Sequence, residues 1–307
     1  MIQSLPLKAE GPFAPFRAPF MRHLKQANRA PATIKNYLGD LEAFVRWFTR
    51  LKGVDFHPAA IQSEDLESYR QFLAAEQRLK PASINRKLAA LQTFLGWAKQ
   101  IGLVPQQSLL QSPEKLQQPA RQLQSLTPAQ QTALLHAVEQ SCNRRDLAVV
   151  KLLLTMGLQV QELCSLCWEH VQVVDGKAFL ELQRRKGKLW SQLQIPQDIY
   201  ALLLSLKQET KLRYLQPFFQ GQRGSLTARG VQLCLKKYGK AIDVPTLSPQ
   251  MLRHTCAFNF ARSGLGAESL AVLMGFSSLE ATNVYYTTEL RQALVNQALS
   301  KAYESAP

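Results

Sequence analysis

Apolar residues recur every three or four positions through most of the first hundred residues, which is the period of a helix with one face on a core. This spacing predicts helices over 31–50, 63–77 and 81–100. Pro31 and Pro81 suit a first helical position, where the missing backbone N–H costs nothing. The chain should therefore begin with a small helical domain.

A segment rich in Gln, Pro and Ser, 105–125, then interrupts the periodicity and indicates a linker. Helical spacing resumes over 128–140 and 146–157. Alternation of apolar residues around Asp175-Gly176 predicts a β-hairpin, and a third short strand ends at Pro196. The second domain should be mostly helical with a small three-stranded antiparallel sheet, so the fold class is mainly α. The predicted divisions are an N-terminal extension at 1–20, a helical domain at 21–104, the linker at 105–125 and the second domain at 126–307.

The charge balance favours a polyanionic partner. The chain carries 37 Lys and Arg against 22 Asp and Glu, a net charge of +15. Basic side chains bind nucleic acids by neutralising phosphates and releasing counterions. Each could instead be an ordinary solvated charge. The candidate contacts are Lys35, Arg86 and Lys87 in the first domain and Arg184, Arg185, Lys186 and Lys188 near the hairpin.

The cysteines and the hydropathy pattern indicate the cellular compartment of the protein. Five scattered cysteines favour a reducing environment. Cys164 and Cys167 form a CxxC pair, but no two further ligands are evident nearby, so we expect packing and no metal. The sequence has no run of about 18 apolar residues, so we expect no membrane span. The N-terminus lacks the pattern of a signal peptide. The sequence thus predicts a cytoplasmic protein.

Several motifs together resemble the tyrosine recombinases of the phage-integrase and Xer type. The stretch 33–44 and the later Phe94-x-x-Trp97-Ala98 resemble the family's SAM-like core-binding domain. In the second domain, 155–163 resembles T-G-L-R-x-x-E-L, 250–255 resembles H-x-L-R-H-T, and 274–285 resembles L-G-H-S-S-x-x-T-T-x-x-Y. The resemblance implies a core-binding domain, a mostly helical catalytic domain and a role on DNA, hence a nucleoid-associated location.

The resemblance also implies a reaction and its residues. A tyrosine attacks a backbone phosphate and forms a 3′-phosphotyrosine, which stores the bond energy without metal or nucleotide cofactor. Tyr285 would be the nucleophile, since its spacing from Gly275 fits better than that of Tyr286. Arg253 would bind the phosphate oxygens, because a guanidinium is always charged and bidentate. Lys188, or alternatively Lys186, would protonate the leaving 5′-oxygen.

Three positions depart from the family pattern. Gln159 stands where the first arginine is expected, Gln250 where a histidine is expected, and Phe276 where a histidine or tryptophan is expected. His254 follows Arg253, at a place that is typically structural in the family. A stripe of apolar residues in 289–304 could pack on its own domain or on a neighbouring protomer.

Three functions remain open from the sequence. The first is a DNA-binding member of the family with impaired or absent strand cleavage, acting as an accessory or regulatory factor. The second is an active recombinase or integrase with a rewired site, or with a partner that supplies the missing groups. The third is a helical interaction protein without a DNA role. For the first two, the partners would be double-stranded DNA and further copies of the chain or a homologous recombinase.

Overall fold

The computed structural model describes residues 11–105, 113–117, 123–184, 189–210, 216–221, 224–276 and 278–304. The chain divides into two compact units, Met1–Arg121 and Gln122–Pro307. The described helices are α1 Ala14–Gln26, α2 Pro31–Lys52, α3 Ser63–Ala75, α4 Pro81–Gln100, α5 Pro128–Gln140, α6 Arg144–Thr155, α7 Val160–Ser165, α8 Gln197–Thr210, α9 Ala228–Ala241, α10 Pro249–Arg262, α11 Ala267–Met274, α12 Glu280–Asn283 and α13 Thr288–Glu304. The described strands are β1 Val171–Val174, β2 Lys177–Arg184, β3 Leu189–Gln194, β4 Gln220–Gly221 and β5 Gly224–Ser225. Among these described helices, none is both long and apolar enough to cross a membrane.

Aromatic rings fill much of the core of the first unit. The rings of Phe20 in α1 and Phe94 in α4 lie 5.3 Å apart with nearly perpendicular planes. Phe44 in α2 contacts Tyr69 in α3 at 4.9 Å between ring centroids. Such edge-to-face pairs stabilise a core beyond the area they bury. The helices predicted over the first hundred residues are therefore present, and they converge on one apolar centre.

The first unit begins earlier than predicted. Residues up to 20 were expected to form an extension, but α1 starts at Ala14 and buries Phe20 and Leu24, and Phe13 just before it is also buried. Pro19 lies inside α1. A proline there removes a helical hydrogen bond and breaks the usual sequence signal, and burial of the neighbouring rings offsets that loss.

Only parts of the predicted linker fall within the described residues, because 106–112 and 118–122 lie outside them. Within the first unit, the Asn85 side chain donates to the carbonyl of Leu116 and accepts from its N–H, both at 2.9 Å. Within the second unit, the N–H of Leu126 donates to the hydroxyl of Thr255 at 2.9 Å. The described ends of this segment are thus each held by side chains of their own unit.

Helix α6 lies at the centre of the helices of the second unit. Leu152 and Leu153 are fully buried, and α6 packs against α5, α8 and α10. The predicted hairpin and third strand are present, in the order β1-β2-β3 and all antiparallel. Asp175 and Gly176 both have positive φ, 50° and 73°, as the favoured two-residue hairpin turn requires. The small pair of β4 and β5 was not predicted.

Gly239 is the point where α9 touches the loop that follows it. A Cβ at this position would lie 2.4 Å from the carbonyl oxygen of Val244 and 2.7 Å from Cβ of Leu247. We expect Gly239→Ala to reduce the free energy of unfolding by about 1–3 kcal/mol, because backbone must shift to admit the methyl group. Urea titration measures this. The control is Gly96→Ala in α4, where nothing lies within 4 Å and alanine should stabilise the helix by up to about 1 kcal/mol. Equal effects of the two substitutions would contradict the overlap.

Candidate active site

Helix α10 presents the central residues of the site. The side chain of Ser248 accepts a hydrogen bond from the N–H of Met251, and Pro249 occupies the first turn. Both features fix the start of a helix. Because residues four apart share a helix face, Gln250 and His254 lie one above the other, with Arg253 beside them. The start signal thus sets the direction of all three side chains.

Arg253 joins three segments of the second unit. Its two terminal nitrogens donate to the carbonyl of Gly157, in the loop after α6, and to that of Met274, at the end of α11. The residue is buried, and burial lowers the pKa of its guanidinium, although Glu162 opposes this shift. A buried cation that donates to two backbone carbonyls fixes the position of the backbone around it.

Tyr285 is enclosed by aromatic rings and by His254. Its side chain is 2% exposed. Its ring stacks on Phe276 with centroids 5.4 Å apart and planes only 9° apart, and Phe258 meets it edge-on at 5.0 Å. The hydroxyl oxygen lies 2.6 Å from Nδ1 of His254. The guanidinium carbon of Arg253 lies 5.5 Å from the centre of the Phe276 ring, so one phenylalanine contacts both residues.

The two glutamines that replace family residues lie at the surface. The side-chain nitrogen of Gln250 is 3.0 Å from Nε2 of His254. Gln159 directly precedes α7, and its backbone N–H donates to a carboxylate oxygen of Glu162 at 2.7 Å. Both glutamines are exposed. Neither has been absorbed into the apolar core.

The structure places Arg184 inside the second unit, which corrects the prediction that it binds phosphate at the surface. Its side chain is 0% exposed, and its Nε lies 3.1 Å from a carboxylate oxygen of Glu162. It also donates to the carbonyl of Leu273. Burial lowers the pKa of Arg184, and Glu162 counteracts that shift. Arg184 is the internal countercharge of Glu162.

A sequence signal for this burial existed. Alternate residues of a strand share one face, and Leu180 and Leu182 on the same face as Arg184 are both buried. The role of Glu162 was missed, although it lies within the first catalytic motif. The same pairing explains the glycine that ends α11, because a Cβ on Gly275 would lie 2.8 Å from Cδ of Arg184.

The structure describes some of the remaining predicted DNA-binding cations and leaves others outside the described residues. Arg185, Lys186 and Lys188 lie outside the described residues, so the assignment of the catalytic lysine stays a prediction. Arg86 and Lys87 both pair with the buried carboxylate of Asp40, Lys87 at 2.9 Å. They still reach solvent in part, but a share of their charge is compensated within α2 and α4.

Lys35 is exposed on α2. It remains a predicted phosphate contact, since an exposed ammonium group can approach a DNA backbone without losing an internal partner.

Among the described residues, one group of possible metal ligands comes together: Cys167, Glu169 and His170, with ligand atoms within 4.8 Å of one another. Nδ1 of His170 accepts from the N–H of Cys167 at 3.0 Å. The Cys167 thiol donates to the carbonyl of Ser165 at 3.3 Å, and burial raises the pKa of that thiol. Metal binding needs a thiolate, which the raised pKa of Cys167 disfavours, whereas Nε2 of His170 faces the Glu169 carboxylate at 3.9 Å.

Fold and site together define a class of protein. A buried arginine, a tyrosine hydrogen-bonded to a histidine and a basic, mostly helical chain of two units agree with the resemblance to the tyrosine recombinases. Residues 124–292 match the phage integrase family, and residues 16–103 match the phage integrase N-terminal SAM-like domain. The chain therefore belongs to the phage integrase family of tyrosine recombinases.

Individual relatives agree with this assignment. The chain is 26% identical over 304 residues to tyrosine recombinase XerC of Xanthomonas axonopodis pv. citri (strain 306), covering 94% of each chain. It is 29% identical over 283 residues to tyrosine recombinase XerC of Bacillus subtilis (strain 168), covering 87% of this chain and 89% of the relative.

Solved structures share the fold at lower identity. The XerH site-specific recombinase bound to its palindromic difH substrate aligns with a TM-score of 0.71 and 16% identity, over 92% of this chain and 84% of that one. The Tn1549 transposon integrase in complex with transposon right end DNA aligns with a TM-score of 0.67 and 19% identity, over 92% and 98% of the two chains. The mainly helical fold with its SAM-like domain and small sheet is thereby confirmed.

Proposed function

We propose that this protein binds double-stranded DNA and cleaves it slowly compared with family members that carry an intact site. Its role would then be that of an accessory or regulatory DNA-binding factor on the nucleoid, in the cytoplasm. The observation that carries this proposal is the state of Tyr285. Its ring is buried and packs on Phe276, which stands where the family pattern expects a donor to the phosphate.

Support for DNA as the partner comes from charge and from the relatives. The net charge of +15 favours a polyanion. The XerH recombinase structure is a complex with its palindromic difH substrate, and the Tn1549 integrase structure is a complex with transposon right end DNA. On DNA, further copies of this chain or a homologous recombinase would be its neighbours.

The substitutions set the expected size of the defect. The transition state gathers negative charge on the phosphate oxygens, and each preorganised donor lost costs about 10²–10³ in rate. Gln159 can donate a hydrogen bond but carries no charge, while Phe276 can donate nothing. Such losses are not additive. A combined slowing of about 10⁴ is a reasonable expectation from the cost of a single donor.

A second candidate function is an active recombinase with a rewired site. Two observations favour it. The hydroxyl of Tyr285 lies 2.6 Å from a ring nitrogen that could accept its proton. Gln159 and Gln250 are exposed instead of being packed against apolar neighbours.

Covalent capture in the native host distinguishes the two functions. Wild type and Tyr285→Phe are expressed, cells are lysed under denaturing conditions, and protein-bound DNA is sequenced. We expect both proteins to recover the same loci equally after chemical crosslinking, because the lost oxygen is buried. Without crosslinking we expect at most a weak Tyr285-dependent signal. Abundant adducts at one locus in wild type alone would establish efficient cleavage, and loss of all crosslinked DNA from both proteins would exclude the DNA role.

A further inference from the structure

We propose that His254 is the proton acceptor of the tyrosine nucleophile and that Gln250 holds its imidazole in the required tautomer. This inference rests on the proposed function in one respect, namely that Tyr285 retains slow cleavage. It assigns a catalytic role to a residue that the sequence pattern marks as structural. It also assigns a positioning role to Gln250, which stands where the same pattern expects a histidine.

The geometry of the Tyr285–His254 contact carries the proposal. Nδ1 of His254 and the hydroxyl oxygen of Tyr285 are 2.6 Å apart, although the residues are 31 positions apart in sequence. Their exposed fractions are 7% and 2%. A hydroxyl–imidazole hydrogen bond of this length is direct, and a buried one is little weakened by water.

The partner of Nε2, the second ring nitrogen of His254, determines which of the two ring nitrogens carries the proton. The side-chain nitrogen of Gln250, one turn earlier on α10, lies 3.0 Å from Nε2 of His254. In this orientation the amide donates and Nε2 accepts. The nitrogen and oxygen of a Gln amide are told apart only by the hydrogen bonds they form, so the opposite orientation is equally open to the side chain. A neutral imidazole has one N–H and one acceptor nitrogen. Rotation of the amide about its last bond puts its oxygen at the same position, where it accepts from Nε2–H. Nδ1 is then the acceptor and can take the proton from Tyr285.

Aromatic packing and charge complete the arrangement. Phe276 stacks on one face of Tyr285 and Phe258 meets its ring edge-on, so the hydroxyl keeps a fixed direction toward Nδ1. The guanidinium carbon of Arg253 lies 5.5 Å from the centre of the Phe276 ring, so the cation is close to the ring that stacks on Tyr285. The basic nitrogen that the family pattern places at 250 is thus available one helical turn later, at 254.

The step balances without any further reactant. The O–H bond of Tyr285 breaks, its proton moves to Nδ1 of His254, and the oxygen forms a bond to phosphorus. The bond from phosphorus to the 5′-oxygen breaks, and that oxygen takes a proton from solvent or from the lysine predicted at 188. Rejoining reverses both transfers. A positioned base of this kind contributes about 10²–10⁴ in rate.

The first test is the tautomer of His254, which needs no DNA. The full-length protein is labelled with ¹⁵N-histidine, and the ring nitrogens are assigned with His254→Asn. We expect Nε2 to carry the proton and Nδ1 to accept, and we expect Gln250→Met to abolish this preference. A matched control exists in α5, where His136 and Gln140 form the same i,i+4 contact at 3.2 Å on the surface. Gln140→Met should leave the His254 signals unchanged. A proton on Nδ1 of His254 in wild type would overturn the proposal.

The second test is the rate of adduct formation on genomic DNA of the native host, trapped with detergent. We expect His254→Asn, which can keep a hydrogen bond but has no base, to slow the adduct by at least about 10²-fold while crosslinked DNA recovery is unchanged. His254→Ala should regain part of the rate when imidazole is added, which a purely structural residue would not do. Adducts at the wild-type rate in His254→Asn would refute the role of His254. If wild type itself forms no adduct, the cleavage part of the proposed function fails, and so does the catalytic role. The tautomer then reports on the pairing alone.

Discussion

Glu162→Gln is expected to reduce the free energy of unfolding of the second unit by about 3 kcal/mol or more. The substitution keeps the shape of the side chain and a hydrogen-bond acceptor but removes its charge. The Arg184 side chain, which is 0% exposed, would then be a buried cation without a countercharge. Removing one partner of a buried ion pair costs far more than the pair contributes, because the desolvated charge remains. Urea unfolding followed by circular dichroism measures the change.

Two controls isolate the charge effect. The double substitution Glu162→Gln and Arg184→Met removes both charges and should recover most of the lost stability, since replacing a whole buried pair by apolar groups is often neutral. Asp198→Asn breaks the pair of Asp198 with Lys151, in which the Asp198 side chain is 61% exposed. That pair should contribute less than about 1 kcal/mol. Equal destabilisation by Glu162→Gln and Asp198→Asn would show that Arg184 is not electrostatically dependent on Glu162.

The same pair explains how the second unit supports its site. Arg184 donates to the carbonyl of Leu273, and Arg253 donates to that of the next residue, Met274. Two guanidinium groups therefore hold the last turn of α11, where helix carbonyls lack helical partners. This fixes the position of Phe276, which follows directly and stacks on Tyr285. Glu162 thus acts on the nucleophile through two arginines, without contacting it.

The sequence predicted the elements whose formation depends on residues close together in the chain. Helical spacing gave the helices of the first hundred residues, and Asp175-Gly176 gave the hairpin, because both signals reflect backbone geometry. Helix α1 was missed, since Pro19 masked a segment whose stability comes from burial of Phe20. Tertiary packing overrides such local signals.

The candidate site likewise contains residues that sequence motifs predicted and contacts that only the packing of the elements reveals. Motif spacing predicted that Arg253 and Tyr285 belong to one site, and in the structure both lie beside Phe276. It did not reveal that the charge of Arg184 is compensated by Glu162, 22 positions away, or that His254 contacts the tyrosine hydroxyl. Those contacts depend on how β2, α7 and α10 pack together. The family motifs specify residue types. They do not specify the hydrogen bonds that form when Gln159, Gln250 and Phe276 replace three of those residues.

Restoring the three family residues together should produce the largest functional change available in this chain. We expect Gln159→Arg, Gln250→His and Phe276→His in one protein to raise the rate of covalent adduct formation by about 10⁴, given the cost of each absent donor. The arginine adds charge at the exposed start of α7. The histidine at 276 replaces a ring that stacks on Tyr285 with one that can donate to the phosphate. The rate is measured as detergent-trapped adduct on native-host DNA.

The single substitutions show where the gain originates. Phe276→His alone should raise the rate by about 10²–10³, since it supplies a donor where none exists. Gln159→Arg should give less, because glutamine already offers a hydrogen bond and only the charge is new. Tyr285→Phe in the restored protein must abolish the adduct, as the control for chemistry at that oxygen. A restored protein no faster than wild type, with DNA binding intact, would mean that the three substitutions do not limit cleavage. The enclosure of Tyr285 by Phe258, Phe276 and His254 would then be the remaining barrier.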